Sequence, residues 1–324
     1  MKACLHSAVA LFFVTAALAV AHPAHAQDYP SRDITFMVPY NPGGATDPIA
    51  RQFSLQLEKA LGVGVNVENK PGGSGTIGAG VIMRSKPDGY TIGLSDIGAL
   101  AYQPLINKGL AYKTSDDYQP IVKLSEQPVV LVVRADARWK NFEEFIAEAK
   151  KNPGKLRVGV NGLRTAPDLV IQQFNKVSGI RIVTVPFSGG GGEATLGVLS
   201  GRVEAMANSG AGNLGHIKAG KLRALAVFAK GRYETFPDAT PVGALGYDAT
   251  MGSAFYVIGP KGMPAAVMGK LSDAALRIVK SEEFNTFAKA NVYVPEPMGP
   301  ADAKADIDRF AGIYDGLLKF IEQR

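Results

Sequence analysis

Pro128-Val129-Val130-Leu131-Val132-Val133 is an uninterrupted apolar run near the middle of a chain of 324 residues. A second run, Phe255-Tyr256-Val257-Ile258, lies late in the chain. Short apolar runs of this kind are typical of strands that are buried on both faces. If both strands cross between two lobes, residues 27–126 and 252–324 form the first lobe and residues 127–251 form the second. Domains of ~100 to 200 residues suit a chain of this length.

Short β-branched runs alternate with amphipathic segments on both sides of these two runs. The predicted strands are Ile34–Tyr40, Val63–Asn69, Tyr90–Asp96, Val129–Ala135, Leu156–Asn161, Ile180–Phe187, Val203–Asn208, Leu222–Phe228 and Ala254–Gly259. The predicted helices are Pro48–Leu61, Thr76–Ser85, Phe142–Lys151, Pro167–Val177, Glu193–Leu199, Pro264–Val279 and Ala301–Gln323. This alternation predicts an α/β fold in which each lobe is a mainly parallel sheet flanked by helices.

Three of the predicted helices carry further signals. Asp47 followed by Pro48 is interpreted as an N-cap with proline at the first helical position, and Asn141 with Glu144 resembles a capping box. The last helix places apolar side chains on one face, which predicts that it packs against a lobe. These side chains are Ile307, Phe310, Tyr314, Leu317 and Ile321.

The first 26 residues have the pattern of a secretory signal peptide. Lys2 gives a positive start, Leu11–Ala21 is an apolar run, and Ala24-His25-Ala26 is a small-x-small cleavage site. We therefore predict export to the periplasm with cleavage after Ala26. The apolar run is short for a membrane span, and no later stretch is apolar enough to cross a bilayer.

Cleavage at this point removes most of the chain's reactive side chains. Cys4 is the only cysteine, and His216 is the only histidine that follows the cleavage site. Disulfides, a catalytic thiol and a Cys/His zinc site are thereby excluded from the mature protein. His216 is interpreted as a solvent-facing residue of a short helix. No catalytic residue, metal or cofactor is predicted.

The net charge of +6 does not indicate a nucleic-acid partner, because the basic residues are scattered and form no run longer than Lys150-Lys151. Two segments match G-x-G-x-x-G, residues 73–78 and 210–215. The first match does not follow its strand directly, and Gly220 shortens the helix after the second, so neither fits a dinucleotide site well. Mild positive charge in an exported protein fits the steering of small anions.

Three loops each join a strand to a helix through glycine or small residues. Each loop exposes backbone N–H groups at a helix N-terminus, which is suited to a small anion, although glycine is also the usual residue of a tight turn. Arg164 can grip a carboxylate through two parallel bonds, and it can equally be a solvated surface residue. The candidate ligand-binding residues are Tyr40, Asn41, Gly43, Gly44, Ala45, Thr46, Asp47, Asn161, Gly162, Arg164, Thr165, Ser188, Gly189, Gly190 and Asn208.

A set of ordered motifs carries a family resemblance over the whole mature chain. The motifs are Tyr29-Pro30, PGGATD at 42–47, VENKPGGSG at 67–75, KPDGYT at 86–91 and IKAGKLRALAV at 217–227. They resemble the Bug receptors, the extracytoplasmic solute-binding proteins of tripartite tricarboxylate transport systems. The resemblance implies a two-lobed, type II-like Venus-flytrap fold whose loops hold a ligand carboxylate largely through backbone groups and waters. It also implies a membrane permease as partner.

The chain departs from the commoner family pattern at the four-glycine run 189–192 and at Asn208-Ser209, which stands where an acidic residue often occurs. The ligand therefore cannot be copied from a relative. The leading hypothesis is a periplasmic binding protein that presents a small organic carboxylate to a permease, and not an enzyme. The alternatives are a periplasmic carboxylate sensor that feeds a signalling partner, and an exported α/β enzyme.

Overall fold

Twelve strands form two six-stranded sheets in the part of the chain that the computed structural model describes, residues 29–42, 46–187 and 191–323. The first sheet contains β1 (Ile34–Val38), β2 (Val65–Asn69), β3 (Thr91–Asp96), β4 (Tyr118–Gln127), β11 (Ser253–Pro260) and β12 (Val294–Met298). The second contains β5 (Val129–Arg134), β6 (Arg157–Val160), β7 (Val183–Pro186), β8 (Ala205–Ser209), β9 (Leu222–Val227) and β10 (Thr240–Pro241). The predicted signal peptide lies outside the described residues.

The two sheets share one strand order. The first is β2-β1-β3-β11-β4-β12 and the second is β7-β6-β8-β5-β9-β10. In both, a strand that enters from the other half of the chain is fourth in the order, β11 between β3 and β4 or β5 between β8 and β9, and it runs antiparallel to both neighbours. The α/β class is confirmed, and the sheets are mixed because these entering strands run opposite to the parallel β1–β3 and β6–β8 groups.

Helices connect most of these strands within the described residues. They are α1 (Asp47–Leu61), α2 (Thr76–Met83), α3 (Gln103–Ile106), α4 (Phe142–Lys151), α5 (Ala166–Ser178), α6 (Gly191–Leu199), α7 (Gly210–Lys218), α8 (Ala265–Lys280), α9 (Glu282–Ala290) and α10 (Pro300–Glu322). Helix α1 begins at Asp47 itself, so the prediction of Asp47 as N-cap was wrong by one residue. None of the helices described is long and apolar enough to cross a membrane.

The start of α4 agrees with its predicted cap. Asn141 Oδ1 accepts a hydrogen bond from the Glu144 N–H at 2.9 Å. The carboxylate of Glu144 accepts a hydrogen bond from the N–H of Lys140 at 2.7 Å. The second bond of the capping box is therefore made to the residue before the N-cap rather than to the N-cap itself. Capping satisfies N–H groups that have no partner within the helix. The cap therefore explains why this helix begins where its amphipathic pattern begins.

The C-terminal helix α10 buries the predicted apolar face. Ile307, Phe310, Tyr314 and Leu317 are buried, and Ile321 packs on the same cluster while partly exposed. The rings of Tyr314 and Tyr102 meet edge to face at 5.5 Å between centroids, which adds to the area that they bury. The cluster includes residues of both sheets, so α10 packs where the two sheets share a core.

Strand β4 carries a buried charged cluster close to the point where the chain passes to the second sheet. The ammonium of Lys123, 0% exposed, lies 2.8 Å from Glu126, 2.5 Å from Glu296 and 2.7 Å from Asp306. The hydroxyl of Tyr256 donates to Asp306 at 2.6 Å. One buried cation thus holds together β4, β12 and α10, with β11 joined to it through Tyr256.

Candidate functional site

The carboxyl ends of strands from both sheets lie beside the passage from β4 to β5. In the first sheet Asp96, at the end of β3, pairs with Phe255, and Gln127, at the end of β4, pairs with Ser253. In the second sheet Ser209, at the end of β8, pairs with Val129, the first residue of β5. In both sheets the strand order changes direction within the parallel group. In α/β folds, ligands bind beside the carboxyl ends of the strands at such a switch point. The predicted loops follow β1, β6 and β7 at this edge.

The first loop, after β1, is braced at both ends by Asn69, the last residue of β2. The Asn69 amide donates to the carbonyl oxygen of Tyr40 at 2.9 Å and to Asp47 Oδ1 at 3.0 Å. Arg51 donates to Asp47 Oδ2 at 2.9 Å. The buried carboxylate of Asp47 is therefore occupied by protein donors. Of the other predicted residues Thr46 is buried and Asn41 is exposed, while Gly43, Gly44 and Ala45 lie outside the described residues.

The side chain of Tyr40 turns from the loop toward the end of β3. Its hydroxyl donates to Asp96 Oδ2, and Asp96 Oδ1 accepts from the N–H groups of Gly98 at 2.8 Å and Ala99 at 3.1 Å. Burial raises the pKa of the Tyr40 phenol, and the Asp96 charge raises it further. Burial also raises the pKa of Asp96, against the opposing effect of its hydrogen bonds. This pair therefore anchors the first loop, and the Tyr40 hydroxyl is committed within the protein.

The second loop, after β6, is held in an unusual backbone conformation. Gly162 has φ 126° and Arg164 has φ 59°, a region that residues other than glycine rarely adopt. Asp168, fully buried in α5, accepts the N–H of Arg164 at 2.7 Å. The Thr165 hydroxyl donates to Asn161 Oδ1 at 2.8 Å. Asp168 therefore stabilises the turn that places Arg164 at the edge of the sheet.

The third loop is described only from its helical end. Helix α6 begins at Gly191, and Ser188, Gly189 and Gly190 lie outside the described residues. Asn208, 5% exposed, accepts the N–H of Ser209 at 2.8 Å through its Oδ1. A Cβ on Gly191 would lie 2.5 Å from Asn208 Nδ2, so the Asn208 amide packs directly against the start of α6. This position therefore needs glycine for the close approach.

Tyr102, in the segment after β3, approaches the second loop from the first sheet. It is fully buried, and its hydroxyl has no hydrogen-bond partner among the described residues. Burial raises the pKa of Tyr102 to about 12, with Arg164 lowering it and Asp168 raising it. The second loop is thereby linked electrostatically to this part of the first sheet.

Sequence reasoning missed four residues that position these loops: Asn69, Asp96, Tyr102 and Asp168. Asn69 and Asp96 are the last residues of β2 and β3, so their place at the carboxyl edge was a usable signal. Asp168 stands in the first turn of α5, where an acidic residue complements the helix dipole. Nothing in the local pattern distinguishes Tyr102.

The chemistry of the described part of the site favours an anion. The carboxylates of Asp47, Asp96 and Asp168 all accept hydrogen bonds from protein donors. The guanidinium of Arg164 makes no hydrogen bond or ion pair with any described residue, and it is partly exposed. Helices α5 and α6 also begin at this edge with their N-termini toward it. The unused groups are therefore donors, which is the complement of a carboxylate.

Comparison with known proteins agrees with this geometry. Residues 49–302 match the family model described as tripartite tricarboxylate transporter family receptor. Protein BugT of Bordetella pertussis strain Tohama I is 30% identical over 315 residues, covering 95% of this chain and 96% of BugT.

Solved structures give the same result. A TctC solute binding protein from Polaromonas is 32% identical with a TM-score of 0.75, over 90% of this chain and 99% of that one. MatC from Rhodopseudomonas palustris with bound malate is 25% identical with a TM-score of 0.75, over 89% of this chain and 99% of MatC. The similarity therefore extends over nearly the full length of each relative.

Proposed function

The chain belongs to the tripartite tricarboxylate transporter receptor family, and from that membership we propose that it captures a small organic carboxylate between its two sheets. The captured ligand would be handed to a membrane permease of the same transport type. Family members of this kind are periplasmic solute-binding receptors. We propose that this chain, like them, performs no catalysis.

The observation that carries the proposal is the unpartnered guanidinium of Arg164 within the described residues, at the edge where strand ends of both sheets meet. Asp168 accepts the backbone N–H of Arg164, so the side chain is presented from a braced turn. A carboxylate would take two parallel bonds from the guanidinium and further bonds from N–H groups at the starts of α5 and α6. The candidate residues that lie outside the described segments would complete this clamp.

Malate is the first ligand to test, because the MatC relative carries it in its solved structure. A dicarboxylate suits a site with one charged side chain and several backbone donors, since one carboxylate can pair with Arg164 and the other with N–H groups. The sensor hypothesis uses the same binding event with a different partner. Recovery of a permease subunit or of a signalling protein by cross-linking in the periplasm would separate the two.

The test is thermal unfolding of the purified protein against a panel of mono-, di- and tricarboxylates, amino acids and nucleotides. A ligand at 100 times its dissociation constant adds roughly 2.7 kcal/mol to the free energy of unfolding, which raises Tm by about 5 °C. Arg164→Ala should weaken carboxylate binding more than tenfold. Arg181→Ala is the matched control, because Arg181 is exposed before the start of β7, at the opposite edge of the second sheet.

A shift with one class of carboxylate that is lost in Arg164→Ala and kept in Arg181→Ala supports the proposal. Equal affinity in all three proteins removes Arg164 from the site. A shift with nucleotides alone overturns carboxylate capture.

Export and lobe motion complete the proposal. We propose cleavage after Ala26, so that the periplasmic protein begins at Gln27, which N-terminal sequencing tests directly.

We also propose that residues 27–126 with 252–324 and residues 127–251 act as two lobes, with a hinge near residues 127 and 252. The chain passes from one sheet to the other at these two points, between β4 and β5 and just before β11. A protein whose shape in solution is the same with and without bound ligand would contradict the hinge.

A further inference from the structure

The turn after α9 contains a valine in a position that normally requires glycine. Val292 has φ 63°, and it is the one β-branched residue with positive φ among the described residues. The N–H of Tyr293 donates to the Ala288 carbonyl at 2.9 Å, and the N–H of Val292 donates to Lys289 at 3.4 Å. This pairing is a Schellman motif, whose left-handed residue is usually glycine because a β-branched side chain is strained there. A side chain at this position therefore needs a compensating contact.

The compensating contact is made with the other sheet. Val292 is 2% exposed and belongs to the apolar cluster of the second sheet, although its own segment leads into β12 of the first. A Cβ placed on Gly210 would lie 2.8 Å from Val292 Cγ1 and 2.8 Å from Phe236 Cε2. The valine therefore lies against the start of α7, beside the end of β8.

The next residue is anchored in the opposite direction. Tyr293 packs edge to face on Phe255 of β11 at 5.9 Å between centroids, and it stacks on Phe287 of α9 at 6.1 Å. The left-handed turn is what allows two consecutive side chains to enter two different sheets. Lys289 also pairs with Glu234 across the sheets at 2.5 Å, but both side chains are exposed, so this pair adds little.

The segment lies next to both halves of the candidate site. Gly210 directly follows Ser209 at the end of β8, two residues after the candidate Asn208. On the other side, Asp47 of the first loop influences the Tyr293 phenol, whose pKa is raised first by burial and then by that charge. Movement of this segment would therefore change the separation of the first loop from the β8–α7 loop.

We propose that Val292 is a positioning residue of the ligand site: packed against Gly210 in the same cluster as Phe236, it holds the β8–α7 loop of the second sheet at its working distance from the first sheet. Its role in binding rests on the proposed function, while its role in holding the sheets together does not. The strained backbone conformation is retained because glycine would lack the side chain that spans the two sheets.

The first measurement is small-angle X-ray scattering of the ligand-free protein. Val292→Ala removes the atoms that contact Gly210, and Gly210→Ala inserts a methyl group into the same contact from the other side. Both variants should have a larger radius of gyration than the wild type. The controls are Gly215→Ala, on the same helix with no atom within 4 Å of the added Cβ, and Val279→Ala, a buried valine of α8. Helix α8 packs on α1, α9, β4 and β12, all outside the second sheet.

The second measurement is affinity for malate, or for whichever carboxylate shifts Tm in the panel. Val292→Ala and Gly210→Ala should each lose roughly tenfold in affinity, because weaker packing between the β8–α7 loop and the first sheet destabilises the ligand-bound arrangement. The loss should be in a faster dissociation rate, whereas a general loss of stability would leave that rate unchanged.

The outcomes separate the two proposals. An unchanged radius of gyration in both variants overturns the positioning role whatever the ligand is. A changed radius with no carboxylate bound by the wild type keeps the positioning role and rejects the proposed function. If Val292→Ala does not fold, Gly210→Ala alone decides, because it leaves Val292 in place.

Discussion

Replacing Lys123 with Met should destabilise the protein far more than the loss of any surface lysine. The Lys123 ammonium is completely buried and is shared by Glu126, Glu296 and Asp306 at 2.5–2.8 Å. Methionine fills a similar volume, but among the described residues it leaves these three carboxylates with one hydrogen-bonded cation, Arg309, which bonds to Asp306. The substitution therefore removes the bonded cation of the partly buried Glu126 and Glu296, and it leaves the buried Asp306 with Arg309 alone.

The magnitude follows from this burial. Removing one partner of a buried ion pair costs about 3–5 kcal/mol. For a chain of this size each kcal/mol lowers Tm by roughly 2 °C, so Lys123→Met should lower Tm by about 6–10 °C at pH 7. Lys304 is the matched control. It pairs with Asp116 and Asp308 but is 38% exposed, so Lys304→Met should cost at most about 1 kcal/mol.

The loss of stability in Lys123→Met should depend on pH, and the direction of that dependence can be predicted. Burial raises the pKa of Glu126 even with Lys123 present. Burial alone would also raise the pKa of Asp306, but hydrogen bonds from Lys123, Tyr256 and Arg309 outweigh it and lower that pKa. In Lys123→Met both pKa values rise. A carboxyl group whose pKa is higher in the folded than in the unfolded state regains stability as pH falls through its folded pKa. The deficit of the variant should therefore be smaller at pH 5 than at pH 7.

The assay is thermal unfolding followed by circular dichroism, for the wild type and both variants at the two pH values. Equal small losses of Tm for Lys123→Met and Lys304→Met would refute the reasoning about burial. A deficit that widens at pH 5 would refute the reasoning about charge. A large loss at pH 7 that narrows at pH 5 only for Lys123→Met is the expected result.

Three further substitutions test the loops and the sheets. Asp168→Ala removes the acceptor of the Arg164 N–H and should weaken carboxylate binding roughly tenfold, measured by calorimetry, and an unchanged affinity would show that this turn does not need its brace. Asn141→Ala removes a helix cap and should lower the free energy of unfolding by about 1 kcal/mol in a urea titration, with no change contradicting the cap. Gly93→Ala would place a Cβ 2.4 Å from the carbonyl oxygen of Met37 and 2.8 Å from the Cδ1 methyl group of Ile82 in α2. It should cost about 1–3 kcal/mol in the same titration, whereas Gly269→Ala, with no atom within 4 Å, should not destabilise; equal effects would refute the packing argument.

The elements that the sequence predicts well are those whose pattern is local. The apolar run at 129–133 is a strand that is buried on both faces, and an uninterrupted apolar run of this length indicates such a strand directly. Strand β4 was missed because Lys123, Ser125 and Gln127 are buried polar residues. A segment that contains a lysine and shows no alternation of polar and apolar residues does not resemble a buried strand. The partner that makes this burial possible is Asp306, 183 residues away. No window of sequence contains both residues.

The same limit applies at the candidate site. Glycine and proline mark where the loops occur, so the loops after β1 and β6 were predictable as loops. Their bracing was not, because Asn69 reaches Tyr40 across 29 residues and Asp47 across 22. Asp168 braces Arg164 across only four residues, and an acid in the first helical turn is a local signal of such a contact.

Acidic residues beside an anion site require an explanation, since an unpaired carboxylate there would repel the ligand. Asp47, Asp96 and Asp168 avoid this because each directs its charge to donors within the protein. Each also accepts a hydrogen bond from a protein donor that would otherwise bind water, and this bond holds its loop in one conformation. The remaining donors, the Arg164 guanidinium and the N–H groups at the helix starts, are thereby left for the ligand. Arrangement of the acids rather than their number thus decides the sign of the site.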